Sequence, residues 1–85
     1  MAEGFAAQAE AAWRNLMAVL ADTGMRASDL VQVTHYLLSR DDLAAYNAVR
    51  MHWLGAARPA STLVLVASLA KPEWRIKVEA VAWRA

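Results

Sequence analysis

The sequence predicts an α+β domain with the element order α-β-α-β-β, a mixed sheet and both helices on one face of that sheet. Apolar residues recur every three or four positions over Phe5–Ala21 and again over Asp41–Leu54, as in helices that pack by one side. Runs rich in β-branched and aromatic residues lie at Leu30–Leu38, Thr62–Leu69 and Trp74–Trp83, as in strands. Helix and strand patterns therefore alternate along one short chain.

The first helix has a regular apolar stripe and a signal for its end. No Pro or Gly interrupts the Ala-rich segment, and its stripe consists of Phe5, Ala9, Ala12, Leu16 and Val19. Gly24 follows Asp22 and Thr23 and suits the left-handed conformation that ends a helix. We expect the helix to stop there.

The second helix is bounded by residues typical of helix ends. Ser39 and Asp42 match the Ser-x-x-acid capping pattern, in which a hydroxyl and a carboxylate accept backbone N–H groups. Gly55 stands where a C-terminal cap is expected. The predicted helix covers Asp41 to Leu54, with a stripe formed by Leu43, Tyr46, Arg50 and Trp53.

The strand patterns predict the order of the sheet. One face of the first strand carries Val31, Val33, His35 and Leu37. Thr62–Leu69 is apolar on both faces, which predicts a central strand reached from the first by a parallel crossover. A turn at Lys71-Pro72-Glu73 predicts an antiparallel hairpin with the last strand. The sheet face without helices carries Val, Leu and Trp side chains, so we expect self-association.

Composition excludes several classes of function. Residues 1–85 suffice for one domain, and 59% of them are hydrophobic. A net charge of +1 with scattered Lys and Arg argues against a nucleic-acid surface. The absence of cysteine excludes disulfides and thiolate chemistry. No segment has the roughly 20 apolar residues of a membrane span, and Met1–Gly4 begins no secretory signal, so we expect a cytoplasmic protein.

Residues with catalytic potential are few and isolated in the sequence. His35 and His52 have no Cys, Asp or Glu at metal-ligand spacing, so neither a metal nor another cofactor is predicted. His35 shares a face with apolar residues and is interpreted as a hydrogen-bonded core or interface imidazole. Ser39, Ser61 and Ser68 have no nucleophile motif and no acid–base partner nearby in the sequence.

Four segments, in order and approximate spacing, resemble the reactive-intermediate deaminase (Rid, YjgF-type) family. They are DLVQVTHYLL (29–38), DDLAAYN (41–47), RPAST (58–62) and VEAVA (78–82). The resemblance implies a chorismate-mutase-like Rid fold that lacks the N-terminal strands of the family. It also implies a homotrimer with small-molecule clefts between subunits, and the hydrolysis of enamines and imines derived from amino acids.

The resemblance also implies that two charged catalytic positions are replaced. The family's arginine follows Pro-Ala and binds a substrate carboxylate, and Ser61 stands there. The family's carboxylate on the last strand precedes Glu-Ala by two residues, and that position is Lys77. Asn47 matches a position near the cleft, Thr62 offers hydrogen bonds, and Arg58 is a candidate for an anionic ligand.

We therefore predict a Rid-like, trimeric protein that binds a small carboxylate or imine-like ligand without the deaminase machinery. Its candidate binding residues are Asn47, Arg58, Ser61, Thr62 and Lys77. Two alternatives remain open at this point. One is an active enamine or imine deaminase that uses other groups, such as Arg58 with Asn47. The other is a structural oligomerisation subunit.

Overall fold

The computed structural model describes residues 4–84. Residues 1–3, on which the prediction of no secretory signal rests, lie outside this range, as does Ala85. The element order is α1 (Phe5–Asp22), a 3-10 turn (Ala27–Asp29), β1 (Leu30–Leu37), a second 3-10 turn (Arg40–Asp42), α2 (Leu43–Leu54), β2 (Ala60–Leu65) and β3 (Ile76–Ala82). The predicted order α-β-α-β-β is confirmed.

The three strands form one mixed sheet in the order β2-β1-β3. β1 pairs with β2 in parallel and with β3 antiparallel. The prediction that Thr62–Leu69 forms the sheet centre, in a hairpin with the last strand, was wrong. β1 is central, and β2 is an edge strand whose residues are mostly exposed. An apolar run shows that neither face of a strand carries charged side chains, but it does not show that either face is buried.

β2 is also shorter than predicted because its partner ends. Leu65 pairs with Leu37, the last residue of β1, and the Val66 N–H still donates to the Leu37 carbonyl at 2.8 Å. Beyond that point no strand continues beside the chain, so residues 67–75 form turns and irregular structure before β3.

A β-bulge makes the buried face of β1 differ from the predicted one. The pairing with β3 shifts between Leu30 and Gln32, so Val31 leaves the alternation and is 51% exposed. Leu30 takes a buried position instead, beside Val33, His35 and Leu37. One irregular residue therefore lets Leu30 and Val33 both face the helices.

The core lies between this face and the two helices. Its buried members include Phe5, Ala9 and Trp13 of α1 and Tyr46 and Val49 of α2. The opposite face of the sheet carries polar side chains together with Tyr36 and the exposed Val64 and Val81, and it is not covered by any element within residues 4–84.

Polar contacts fix the ends of the elements around this core. Ser39, which was predicted to cap the second helix, caps the 3-10 turn that precedes α2 and accepts the Asp41 N–H at 3.1 Å. The Asp42 carboxylate does not complete the capping pattern. It accepts both its hydrogen bonds from Arg75 Nη2, at 2.9 and 3.0 Å, and so ties the start of α2 to the segment before β3.

Candidate functional site

A buried network of four side chains crosses the domain from α1 to β2. Trp13 Nε1 donates to Tyr46 Oη at 3.2 Å. Tyr46 Oη is hydrogen-bonded to His35 Nδ1, and His35 Nε2 is 2.8 Å from Ser61 Oγ. Trp13, Tyr46 and His35 are fully buried, whereas Ser61 is exposed. The network therefore begins in the core and ends at the surface.

Each member comes from a different element, and the sheet register brings the last two together. Ser61 on β2 pairs with Val33 on β1, and His35 lies two residues further along β1. Alternate residues of a strand point to the same face, so His35 and Ser61 both face the helices. The interpretation of His35 as a hydrogen-bonded core imidazole agrees with this geometry.

Ser61 has no acid–base partner nearby in the sequence, but the fold places the imidazole of His35 beside it. His35 and Ser61 are separated by 26 residues in the sequence and meet only through the parallel pairing of their strands. Sequence spacing carries no signal for such a pair unless the register is known. A lone histidine on the buried face of a strand is nevertheless a signal that some polar partner is needed.

Burial keeps the imidazole and the phenol uncharged. Removal from water, together with the smaller effect of the positive charge of Arg50, lowers the pKa of His35 from 6.5 to about 4. Burial raises the pKa of Tyr46 to about 12, against the opposing effects of the Trp13 hydrogen bond and Arg50. Both groups are therefore neutral at pH 7.

Ser61 lines a cleft of about 210 Å³ at the C-terminal end of α2, which we call the Ser61 cleft. The lining residues are Arg50, Met51, Leu54, Ala57, Arg58, Pro59 and Ser61. Two of them are arginines, and no Asp or Glu is among them. The cleft thus combines an apolar wall with two cations and a hydroxyl.

The two arginines are held differently. Arg58 Nη1 donates to the carbonyls of Gly55 at 2.7 Å and Ala57 at 2.8 Å, so it caps the end of α2. Arg50 is partly buried on α2, one helical turn after Tyr46. The salt bridges found within residues 4–84 involve neither arginine. Sequence reasoning placed Arg50 on the helix stripe but did not recognise it as a site residue.

The five residues predicted as a binding site do not form one cluster. Ser61 and Arg58 lie together in the cleft, whereas Asn47 is exposed on α2 and is not a lining residue. Thr62 pairs with Thr34, and Lys77 with Tyr36, on the face of the sheet opposite to Ser61. Lys77 Nζ lies 5.7 Å from the centre of the Tyr36 ring and 3.9 Å from Glu79.

A larger apolar cleft of about 450 Å³ lies between α1 and the segment that leads into β3. Its walls include Leu16 and Val19 on the helix and Trp74, Ile76 and Val78 on the other side. No residue of the buried network lines it. Within residues 4–84, no group of three or more His, Cys, Asp or Glu side chains is placed to hold a metal ion, and no helix is long and apolar enough to cross a membrane.

Comparison with known proteins gives one consistent result. The family described as endoribonuclease L-PSP matches residues 1–84. A RutC family protein of Pyrococcus abyssi is 36% identical over 70 residues, which cover 82% of this chain and 54% of that protein. The chain thus spans about half the length of the curated relatives it matches.

Solved structures show the same fold in longer chains. RidA from the Antarctic bacterium Psychrobacter sp. superimposes with a TM-score of 0.92 at 31% identity, covering 99% of this chain and 68% of that one. TdcF of E. coli, solved with bound serine, gives a TM-score of 0.90 at 25% identity, covering 100% and 68%. The fold described above is therefore shared with these proteins.

Proposed function

Since this chain belongs to the endoribonuclease L-PSP family, the family of the Rid and YjgF proteins, we propose that it binds a small carboxylate in the Ser61 cleft and lacks the Rid deaminase machinery. The observation that carries this proposal is the composition of the cleft. Arg50, Arg58 and the Ser61 hydroxyl offer hydrogen-bond donors, and no carboxylate side chain competes for them.

The same cleft lacks what the deaminase reaction requires. The resemblance assigns a water-positioning carboxylate to the last strand, where this chain has Lys77. Glu79, two residues further on, pairs opposite Thr34 and so points away from the helices, on the other side of the sheet from Ser61. Among the described residues that line the Ser61 cleft, there is therefore no carboxylate to orient a water molecule beside a ligand.

The ligand class is supported by one relative. The E. coli TdcF structure contains bound serine, which carries a carboxylate. A carboxylate fits the fork of an arginine through two parallel hydrogen bonds, and a serine hydroxyl adds a third. We extend the proposal to imine-like molecules that carry such a carboxylate, because the carboxylate supplies the recognition.

Binding is tested by calorimetric titration of the purified chain with serine and with pyruvate, comparing the native protein with Arg50→Ala. Hydrogen bonds to charged groups contribute roughly 1.5–3 kcal/mol, so the variant should bind at least about tenfold more weakly. Arg14→Ala is the matched control, because Arg14 is exposed on α1 and does not line the cleft. Equal affinities in all three proteins would refute the proposal.

Chemistry is tested by a 2-aminoacrylate hydrolysis assay, in which we expect no turnover above that of buffer. Turnover that is abolished in Arg58→Ala would instead establish the alternative, an active enamine or imine deaminase. The control here is Arg40→Ala, since Arg40 lies in the turn before α2 and is not a lining residue.

We also propose that the chain assembles as a cytoplasmic homotrimer. Support comes from the exposed apolar side chains of the sheet and its end, Val31, Val64, Leu65, Val81 and Trp83. Native mass spectrometry should give three times the mass of the chain. A monomer would favour the remaining alternative, a structural subunit that requires a different partner.

A further inference from the structure

We propose that Trp13, Tyr46 and His35 are positioning residues that fix the proton of His35 on Nε2, so that Ser61 presents its O–H to the cleft as a hydrogen-bond donor. The inference rests on the proposed function for the identity of the ligand, but the proton arrangement follows from the network alone. It specifies which ligand the site accepts and why Ser61 is not a nucleophile.

The direction of the network is set at its buried end. An indole N–H is a donor and never an acceptor, so Trp13 must donate to Tyr46 Oη. Tyr46 Oη then has its own proton to place. The only other hydrogen-bond partner of this oxygen among the described residues is His35 Nδ1.

Full satisfaction of the network requires Tyr46 to donate to His35. If Nδ1 carried the proton and donated to Tyr46 Oη, that oxygen would accept two hydrogen bonds while its own buried O–H had no acceptor. An unmatched buried donor costs roughly 1–3 kcal/mol. With Tyr46 donating, each buried N–H and O–H of the network has an acceptor.

The remaining ring proton must then lie on Nε2. The pKa of His35 is lowered to about 4, so the neutral ring carries a single proton at pH 7. Because Nδ1 accepts from Tyr46, Nε2–H donates to Ser61 Oγ at 2.8 Å. The order of donation is Trp13 to Tyr46 to His35 to Ser61.

Two consequences follow for Ser61. Its oxygen accepts from His35, which leaves its O–H free to donate towards the cleft where Arg50 and Arg58 lie. All three groups then offer donors, so the site selects ligands that present acceptor oxygens, such as carboxylates, over amines. A protonated Nε2 has no lone pair with which to remove the Ser61 proton, so the pair is not an activated nucleophile of the serine-hydrolase kind.

The tautomer is measured directly by long-range ¹H–¹⁵N correlation spectra of the ligand-free, full chain labelled with ¹⁵N-histidine. The chain has only two histidines, and His52→Gln assigns the signals without touching the network. We expect the Nε2-protonated pattern for His35 at pH 7. An Nδ1-protonated or rapidly averaged pattern would overturn the inference, whether or not carboxylates bind.

Tyr46→Phe tests the cause, because it removes the O–H that occupies Nδ1. We expect the Nδ1-protonated form to appear and the carboxylate affinity to fall, while Trp53→Phe, which alters another aromatic of α2, leaves the tautomer unchanged. A Tyr46→Phe spectrum identical to that of the native protein would refute the role of Tyr46. If Tyr46→Phe does not fold, the spectrum of the native protein still shows whether His35 is protonated on Nε2.

Reactivity provides a second measurement on the native protein. A fluorophosphonate probe should leave Ser61 unlabelled at pH 7, and labelling that disappears in Ser61→Ala would contradict the inference. A native tautomer as expected, together with no carboxylate binding, would instead refute the proposed function and leave the proton arrangement standing. The two failures are therefore distinguishable.

Discussion

Acidification from pH 8 to pH 5 should destabilise this domain through one residue, His35. Its pKa is about 4 in the folded protein against an ordinary value of 6.5. Between these values the unfolded chain binds a proton that the folded chain does not. The stability contributed by the neutral imidazole is therefore complete above pH 6.5 and is lost as the pH falls towards 4.

The size of the effect follows from the two pKa values. The full difference corresponds to about 3 kcal/mol, and about 2 kcal/mol of it is lost by pH 5. A domain of this length has a total stability of roughly 4–13 kcal/mol, so the loss is a substantial fraction. The pKa of Asp29 is lowered below 3.8, so its carboxyl titrates below this pH range and does not contribute to the change in stability between pH 8 and pH 5.

Urea denaturation monitored by tryptophan fluorescence at pH 8, 7, 6 and 5 measures the loss, because Trp13 is fully buried. The dependence should persist in His52→Gln, since His52 is exposed, and should disappear in His35→Gln. A native protein with equal free energies of unfolding at pH 8 and pH 5 would show that the imidazole is not held neutral by burial.

Two further predictions concern contacts that join distant elements. Gln8→Ala should lower the free energy of unfolding by about 2 kcal/mol, because the buried amide donates to the Glu73 carbonyl and accepts the Arg75 N–H, both at 2.9 Å. The control Asn15→Ala, at an exposed position of the same helix, should change the free energy of unfolding by less than about 0.5 kcal/mol. Equal effects of the two variants in urea denaturation would contradict this assignment. Arg75→Ala should lower the free energy of unfolding by about 2 kcal/mol, because it leaves the mostly buried Asp42 carboxylate without its partner. Thermal denaturation in which adding Asp42→Asn to Arg75→Ala restores the lost stability would support that cause. No effect of Arg75→Ala would refute it.

Most of the fold was predictable because its elements obey local rules. The helical pattern and terminal glycine of α1, the Ser39 cap and the β-branched runs each depend on neighbouring residues only, and all correspond to observed elements. The predicted apolar stripe of α1 was wrong in part: Val19 is 63% exposed, and the buried side of the helix includes Trp13 and Leu20 instead. The order of the strands depends on pairing across the sheet. The apolar run that begins near Thr62 favoured a central strand on local grounds, and the observed pairing places it at the edge.

The site was predictable only in part for the same reason. Ser61 and Arg58 were recognised from a short motif, and they do lie in one cleft. The contact between Ser61 and His35 arises from strand register, and Arg50 joins the cleft through the packing of α2. Lys77 was grouped with Ser61 because of the resemblance to Rid proteins, while the alternation of side chains separates them across the sheet.

The unequal charge of the two outer strands has a consequence for handling the protein. β3 carries Lys77 and Glu79, whereas β2 contains no charged residue from Ala60 to Leu65. Charged side chains on outer strands oppose strand-to-strand growth between molecules, and their absence permits it. Fibril-like polymerisation of concentrated samples should therefore start at β2. The substitution Val64→Lys, at a position that is 36% exposed, should prevent this polymerisation.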